Sequence, residues 1–195
     1  MSGHVDHAAD GFYFDLASPA CYLVAEQILQ ALPGPLEWRP VLGSGLPESG
    51  AGELRGRIAE LAEELGLQAL RWPPRTPFDS ETAMLAATYA KSIGRTVAFA
   101  QAAFRQAFAG GRDLGDVEHV LIAAAACEIH PRALLRALES RLVRSQLASA
   151  TEAAARAGVR RVPTVVRAGH SYTGVDLLDE ARQVLVTPTA QVCPS

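Results

Sequence analysis

The sequence predicts an α/β fold in which a block of helices interrupts a small sheet, in the order βαβ, helices, ββα. Three observations predict it. Residues 11–42 hold strand-like, helix-like and strand-like segments within about 30 residues, the length of a βαβ unit. Residues 53–157 carry helical patterns punctuated by glycine and proline. Residues 163–173 return to two short β-like runs around Gly169, which suits a hairpin.

Each element has a local reason. GFYFDL (11–16) is an aromatic and apolar run suited to a buried strand. Ser18-Pro19 opens a helix, because serine caps an N-terminus well and proline at the first position loses no needed N–H. That helix runs through CYLVAEQILQAL to Pro33-Gly34, and PLEWRPVL (35–42) returns as a second strand. GSGLPESGAG (43–52) reads as a loop. From Glu53 the period becomes helical, with Leu54, Ile58, Leu61, Ala62 and Leu65 on one face and Gly66 as the stop. RWPPRTP (71–77) reads as an extended bridge, since each proline disfavours helix in the residue before it. Asp79 or Ser80 can cap a helix to Lys91, and further helices are expected over 95–109, 115–127, 131–139 and 142–157. Residues 163–168 and 170–173 make the hairpin, and 176–186 a closing amphipathic helix with Asp176 as a plausible cap. The domain reading is a discontinuous sheet domain (11–42 and 158–186), a helical insertion (53–157), and tails at 1–10 and 187–195.

Composition narrows the function classes. A net charge of −3 gives no electrostatic case for nucleic acid or an anionic membrane as partner. No apolar run approaches the roughly 20 residues that span a bilayer. Three widely spaced cysteines (Cys21, Cys127, Cys193) form neither CxxC nor a zinc pattern, and His4, His7, His119, His130 and His170 form no ligand set. A reduced, cytoplasmic protein without disulfides and without metal is expected.

The segment FYFDLASPACYL (12–23), GVRRVPTVV (158–166) and TGVDLLDEA (173–181) follow one another in an order that resembles the DsbA-like branch of the thioredoxin superfamily. Within it they look most like 2-hydroxychromene-2-carboxylate isomerases and kappa-class glutathione transferases, whose corresponding segments read F-x-F-D-x-x-S-P-x-S-Y-L, G-V-F-G-V-P-T-F and G-x-D-R-L. The likeness spans roughly residues 11–186. It implies a thioredoxin-like sheet with an inserted all-α subdomain of DsbA type.

The resemblance also implies site residues. Ser18 stands where the reactive cysteine of a CxxC motif would be, and in the resembling families this serine hydrogen-bonds the sulfur of glutathione. A helix N-terminus stabilises a thiolate through its unpaired N–H groups and partial positive charge. Ser18 could equally be no more than a helix cap. Cys21, at the second cysteine position, is either a buried apolar residue or a lone reactive thiol, since no internal dithiol cycle is possible without the first cysteine. Pro163 matches the cis-proline that precedes the third strand, and the resemblance implies that the Val162 backbone pairs with the cysteinyl part of a thiol ligand. Gly174 and Asp176 match the segment that holds the γ-glutamyl end of glutathione. Val175, Leu177 and Arg161 depart from the family pattern, which has a polar residue, an arginine and a glycine there. Tyr22, Trp38, Arg39 and Trp72 are candidates for lining a cleft, although Tyr22 and Trp38 are equally at home in the core.

Three functions follow as expectations. One is a glutathione-dependent isomerase or transferase, in which a thiolate held at Ser18 adds to a small electrophilic substrate, an aromatic one included. Glutathione or another low-molecular-weight thiol is then the cofactor, and a homodimer is expected by analogy. The second is a thiol–disulfide oxidoreductase-like protein using Cys21 with an external thiol. The third is a non-catalytic thioredoxin-like binding module.

Overall fold

The structure, a computed structural model, describes residues 8–32, 34–48, 55–177 and 179. Its first unit is β1 (Gly11–Phe14), α1 (Pro19–Ala31) and β2 (Trp38–Pro40). A short 3-10 turn at Gly43–Gly45 follows, then α2 (Arg55–Glu64), α3 (Glu81–Ser92), α4 (Thr96–Phe104), α5 (Val117–Ala125), α6 (Pro131–Glu139) and α7 (Arg141–Arg156). The chain closes the sheet with β3 (Thr164–Arg167) and β4 (His170–Thr173). The sheet order is β2-β1-β3-β4, with β1 parallel to β2 and the other neighbours antiparallel. The predicted fold and element order are therefore those observed. The predicted closing helix, the tail beyond it and Cys193 fall outside the described residues, apart from residues 176, 177 and 179.

Three strands are shorter than expected, β3 by one residue at each end. β1 ends at Phe14 because Asp15 turns inward to cap the next segment instead of continuing the ladder. β2 keeps only three paired residues, Trp38 opposite Phe12, Arg39 opposite Tyr13 and Pro40 opposite Phe14. Residues 8–10, expected as tail, are held in place: Ala8 is buried, and the Asp10 carboxylate accepts the Ala168 N–H at 3.2 Å. The helix predicted over 95–109 is α-helical only to Phe104, and Arg105–Ala109 form one π turn. Arg105 at the start of that turn makes a bidentate ion pair with Glu26 of α1, at 2.8 and 2.7 Å. On α2, Ile58 and Ala62 are buried as expected, whereas Leu65 lies past the helix end and is exposed.

Strand alternation divides the core between the two faces of the sheet. Phe12, Phe14 and Trp38 face α1 and the helices, where the Phe12 and Trp38 rings meet edge-on with centroids 5.0 Å apart. Trp38 is thus a core residue rather than a cleft residue. Tyr13, Val41 and Val166 face the other way and are covered by Ala154 of α7 and by Val159. α1 packs its buried face, Ala20 to Ala25 and Ile28, between the sheet and α4.

Gly11 is fixed by close approach. A Cβ there would lie 2.7 Å from the Glu37 carbonyl oxygen, the acceptor of the Phe12 N–H. Gly11→Ala is expected to destabilise the protein by about 1–3 kcal/mol, as overpacking does. A shift of the urea midpoint to lower concentration checks this; an unchanged midpoint would show that β2 yields freely.

Candidate functional site

The turn between β1 and α1 carries Ser18. Its side chain caps the helix: Oγ accepts the Cys21 N–H at 3.2 Å, and the Ser18 carbonyl accepts the Tyr22 N–H at 3.2 Å. Pro19 occupies the first helical position, and no acidic residue lies in the first turn to neutralise the positive end of the helix. Ser18 is half-buried. Because its Oγ accepts from Cys21, the hydroxyl proton is the part of the group that can be turned toward a ligand.

Cys21 lies one turn inside α1 and is fully buried. Tyr22 is likewise buried, with its ring against Phe104 and Phe108. Trp72 completes that aromatic row from the bridge segment, half-buried, with the Arg55 guanidinium 5.1 Å above its ring.

The Val162–Pro163 peptide bond is cis, the conformation that the resemblance implies. Pro163 is anchored through its carbonyl, which accepts the Gly174 N–H at 3.1 Å and the Thr173 hydroxyl at 3.0 Å. Thr164 donates its hydroxyl to the Arg161 carbonyl at 2.7 Å, closing the loop. Among the described residues nothing hydrogen-bonds the Val162 backbone. Gly174, at φ +91°, sits in the conformation that favours glycine. Asp176 is exposed, and its carbonyl accepts the Asp179 N–H.

The departures from the family pattern acquire physical reasons. Leu177 is fully buried in the main core, so the position that is an arginine in the family is here a packing residue. Val175 packs on the same cluster. Arg160 is engaged by Glu48 at 2.6 Å, while Arg161 lies beside Gly174 and reaches the Thr173 hydroxyl at 3.4 Å. Arg39, expected near the cleft, is on the opposite face of the sheet, paired with Glu37 and 5.9 Å over the Tyr13 ring. A groove of about 590 Å³ opens on that face, between Tyr13, Arg39, Lys91 and the alanines of α7. It contains neither Ser18 nor Val162.

The residue that sequence reasoning left without a role is Asp15. It is buried, and its carboxylate takes three donors: the Ala17 N–H at 2.8 Å, the Gly43 N–H at 2.7 Å and the Ser80 hydroxyl at 3.0 Å. Its carbonyl accepts the Ser18 N–H at 3.1 Å. A Cβ on Gly43 would lie 3.3 Å from the carboxylate and 3.4 Å from Val162 Cγ2, so Asp15, Gly43 and the cis-proline loop are neighbours. Burial pushes the Asp15 carboxyl above the ordinary carboxylate range, against the three hydrogen bonds and with the charge of Asp79 acting in the same direction as burial. Of the two caps expected for α3, Asp79 provides one, its carboxylate accepting the Glu81 N–H at 3.0 Å, while the Ser80 hydroxyl is given to Asp15.

His119 and His130 serve local structure. The first contacts the Asp113 carbonyl at 2.7 Å, and the second accepts the Arg132 N–H at the head of α6. No cluster of metal-ligating side chains occurs among the described residues. No helix among them is long and apolar enough to cross a membrane.

The model of the DSBA-like thioredoxin domain family matches residues 11–186. The chain belongs to that family. No curated protein matches the sequence. Among solved structures, a 2-hydroxychromene-2-carboxylate isomerase superposes with a TM-score of 0.80 at 17% identity, over 90% of this chain and 93% of that one. A probable DsbA oxidoreductase from Streptomyces coelicolor gives 0.70 at 20% identity, over 95% and 91%. The cytosolic disulfide reductase DsbM from Pseudomonas aeruginosa, in its structure with GSH, gives 0.63 at 16% identity, over 91% and 96%. At these identities the likeness is one of fold, which an isomerase and a disulfide reductase share.

Proposed function

We propose that the protein holds glutathione, or a closely similar thiol, at Ser18 and uses it to isomerise or conjugate a small electrophile. The observation that carries the proposal is the pairing of a half-exposed Ser18 cap with a fully buried Cys21. The helix N-terminus is thereby equipped to bind a sulfur anion and lacks an accessible cysteine of its own.

The residues present fit a thiol ligand in part. The Ser18 hydroxyl and the first N–H groups of α1 would hold the sulfur, with the helix dipole favouring its anionic form. The Val162 backbone would pair with the ligand as an added strand, and Asp176 would take an ammonium group. Leu177 cannot assist Asp176, because it is buried. When bound, glutathione would supply the nucleophilic sulfur that adds reversibly to the electrophile. The half-buried Trp72 and the Arg55 over it offer a flat, cationic surface to an aromatic substrate.

A thiol–disulfide role through Cys21 is disfavoured by its burial, although two of the similar structures are oxidoreductases. The buried Leu177 favours the binding-module reading in one respect, as it leaves fewer ligand contacts.

Calorimetric titration with reduced glutathione, beside Ser18→Ala, tests the proposal. Saturable binding is expected, weakened roughly tenfold or more in the variant, the value of a hydrogen bond to a charged sulfur. Absence of saturable binding to the wild-type protein overturns it.

A further inference from the structure

The Ser18 turn is not held by its own strand and helix alone. α3, the second helix of the insertion, reaches it at two atoms one helical turn apart. The Ser80 hydroxyl donates to the Asp15 carboxylate at 3.0 Å, and Met84 Sδ accepts the Leu16 N–H at 3.3 Å. All the residues concerned are buried: Asp15, Leu16, Ser80 and Met84. Asp15 then passes the constraint on, through the Ala17 N–H and through its own carbonyl to the Ser18 N–H. With the other carboxylate oxygen shared by Gly43, one side chain joins the Ser18 turn, the loop after β2 and the insertion.

From this geometry we propose that Ser80 and Met84 of α3 are positioning residues, which set the Ser18 turn through Asp15 and Leu16 and so couple the helical insertion to the thiol site. Both side chains are buried and committed to the turn. Their effect is on where the Ser18 hydroxyl and the first N–H groups of α1 are held, and on how narrowly. Anything that shifts the head of α3, including a substrate lodged against the insertion, then shifts the sulfur site. The functional part of this inference rests on the thiol-binding reading given above; the mechanical part does not.

Hydrogen–deuterium exchange of the full chain, without glutathione, tests the mechanical part. Ser80→Ala and, separately, Met84→Leu should each speed exchange at Ala17, Ser18 and Cys21 at least fivefold, while amides of α6 stay unchanged. Two variants at different atoms guard against one of them failing to fold. Titration with reduced glutathione tests the functional part. Ser80→Ala should raise the dissociation constant several-fold in the wild-type background and by a smaller factor in Ser18→Ala, where the hydroxyl is gone and only the N–H groups of α1 remain to be mispositioned. Unchanged exchange at the turn overturns the proposal whether or not glutathione binds, and so does equal acceleration in α6. Faster exchange at the turn in a protein that does not bind glutathione supports the coupling and overturns the thiol reading instead.

Discussion

Replacing Asp15 by alanine is expected to lower the unfolding free energy by about 3 kcal/mol at neutral pH, through buried donors left without an acceptor. Three lose it together: the N–H groups of Ala17 and Gly43, and the Ser80 hydroxyl. Asp15→Asn does not repair the site, because its amide can present one oxygen, and its NH2 then faces a donor. Urea unfolding measures both variants, and a loss under about 1 kcal/mol in each would show that water replaces the carboxylate. The effect has a defined pH dependence. Burial raises the Asp15 pKa in the folded protein, so its contribution to stability is fully present below the unfolded value, about pH 4, and is lost as pH rises through the folded value. The deficit of Asp15→Ala should therefore be widest at acid pH and narrow as pH rises. Glu37 has the opposite sign. Its hydrogen bond from Lys91 lowers its pKa, so the stability it adds is lost as pH falls.

The Cys21 thiol is expected to react with iodoacetamide in the native protein at least roughly a thousandfold more slowly than in urea. A fully buried thiol is reached only through opening of the surrounding core, and marginal stabilities of ordinary domains imply suppression of this order. Mass spectrometry of the peptide carrying residue 21 provides the site-resolved reading, and a comparison at Cys127, also buried and with its pKa raised by burial, serves as an internal reference. Rapid native labelling of Cys21 would return the disulfide-exchange reading to the front. Slow labelling leaves the sulfur chemistry to an external thiol.

Fold and site differ in how much of them could be read from the chain. α6 was legible to the residue, 131–139, because Pro131 can only start a helix and the pattern after it is strongly amphipathic. The Ser18 cap was legible locally, because a serine before a proline announces a helix start, whereas the cis bond at Pro163 was implied by the resemblance and not by its neighbours. Asp15 was not. Its partners, Gly43 and Ser80, are 28 and 65 positions away, and neither glycine in a loop nor serine before a helix signals a buried carboxylate. Asp79 and Ser80 both fit a cap in sequence, and only the tertiary structure shows that Asp79 takes the Glu81 N–H while the Ser80 hydroxyl is committed to Asp15. Arg39 was a candidate for the cleft, and Trp38 a candidate for either cleft or core. Strand alternation sends one to each face of the sheet.

The helical insertion leaves the sheet and returns to it at one place. The Glu48 N–H donates to the Arg160 carbonyl at 2.8 Å, and their side chains are paired as well, across 112 positions of sequence. For a flexible loop, the entropy of bringing two ends together grows with the logarithm of what lies between them, about 0.6 kcal/mol for each doubling. Chain can thus be added to or removed from the insertion with little charge against the sheet, whose strand pairing never passes through it. Parts of the insertion away from Ser80 and Met84 can therefore be rebuilt while the Ser18 turn stays as it is.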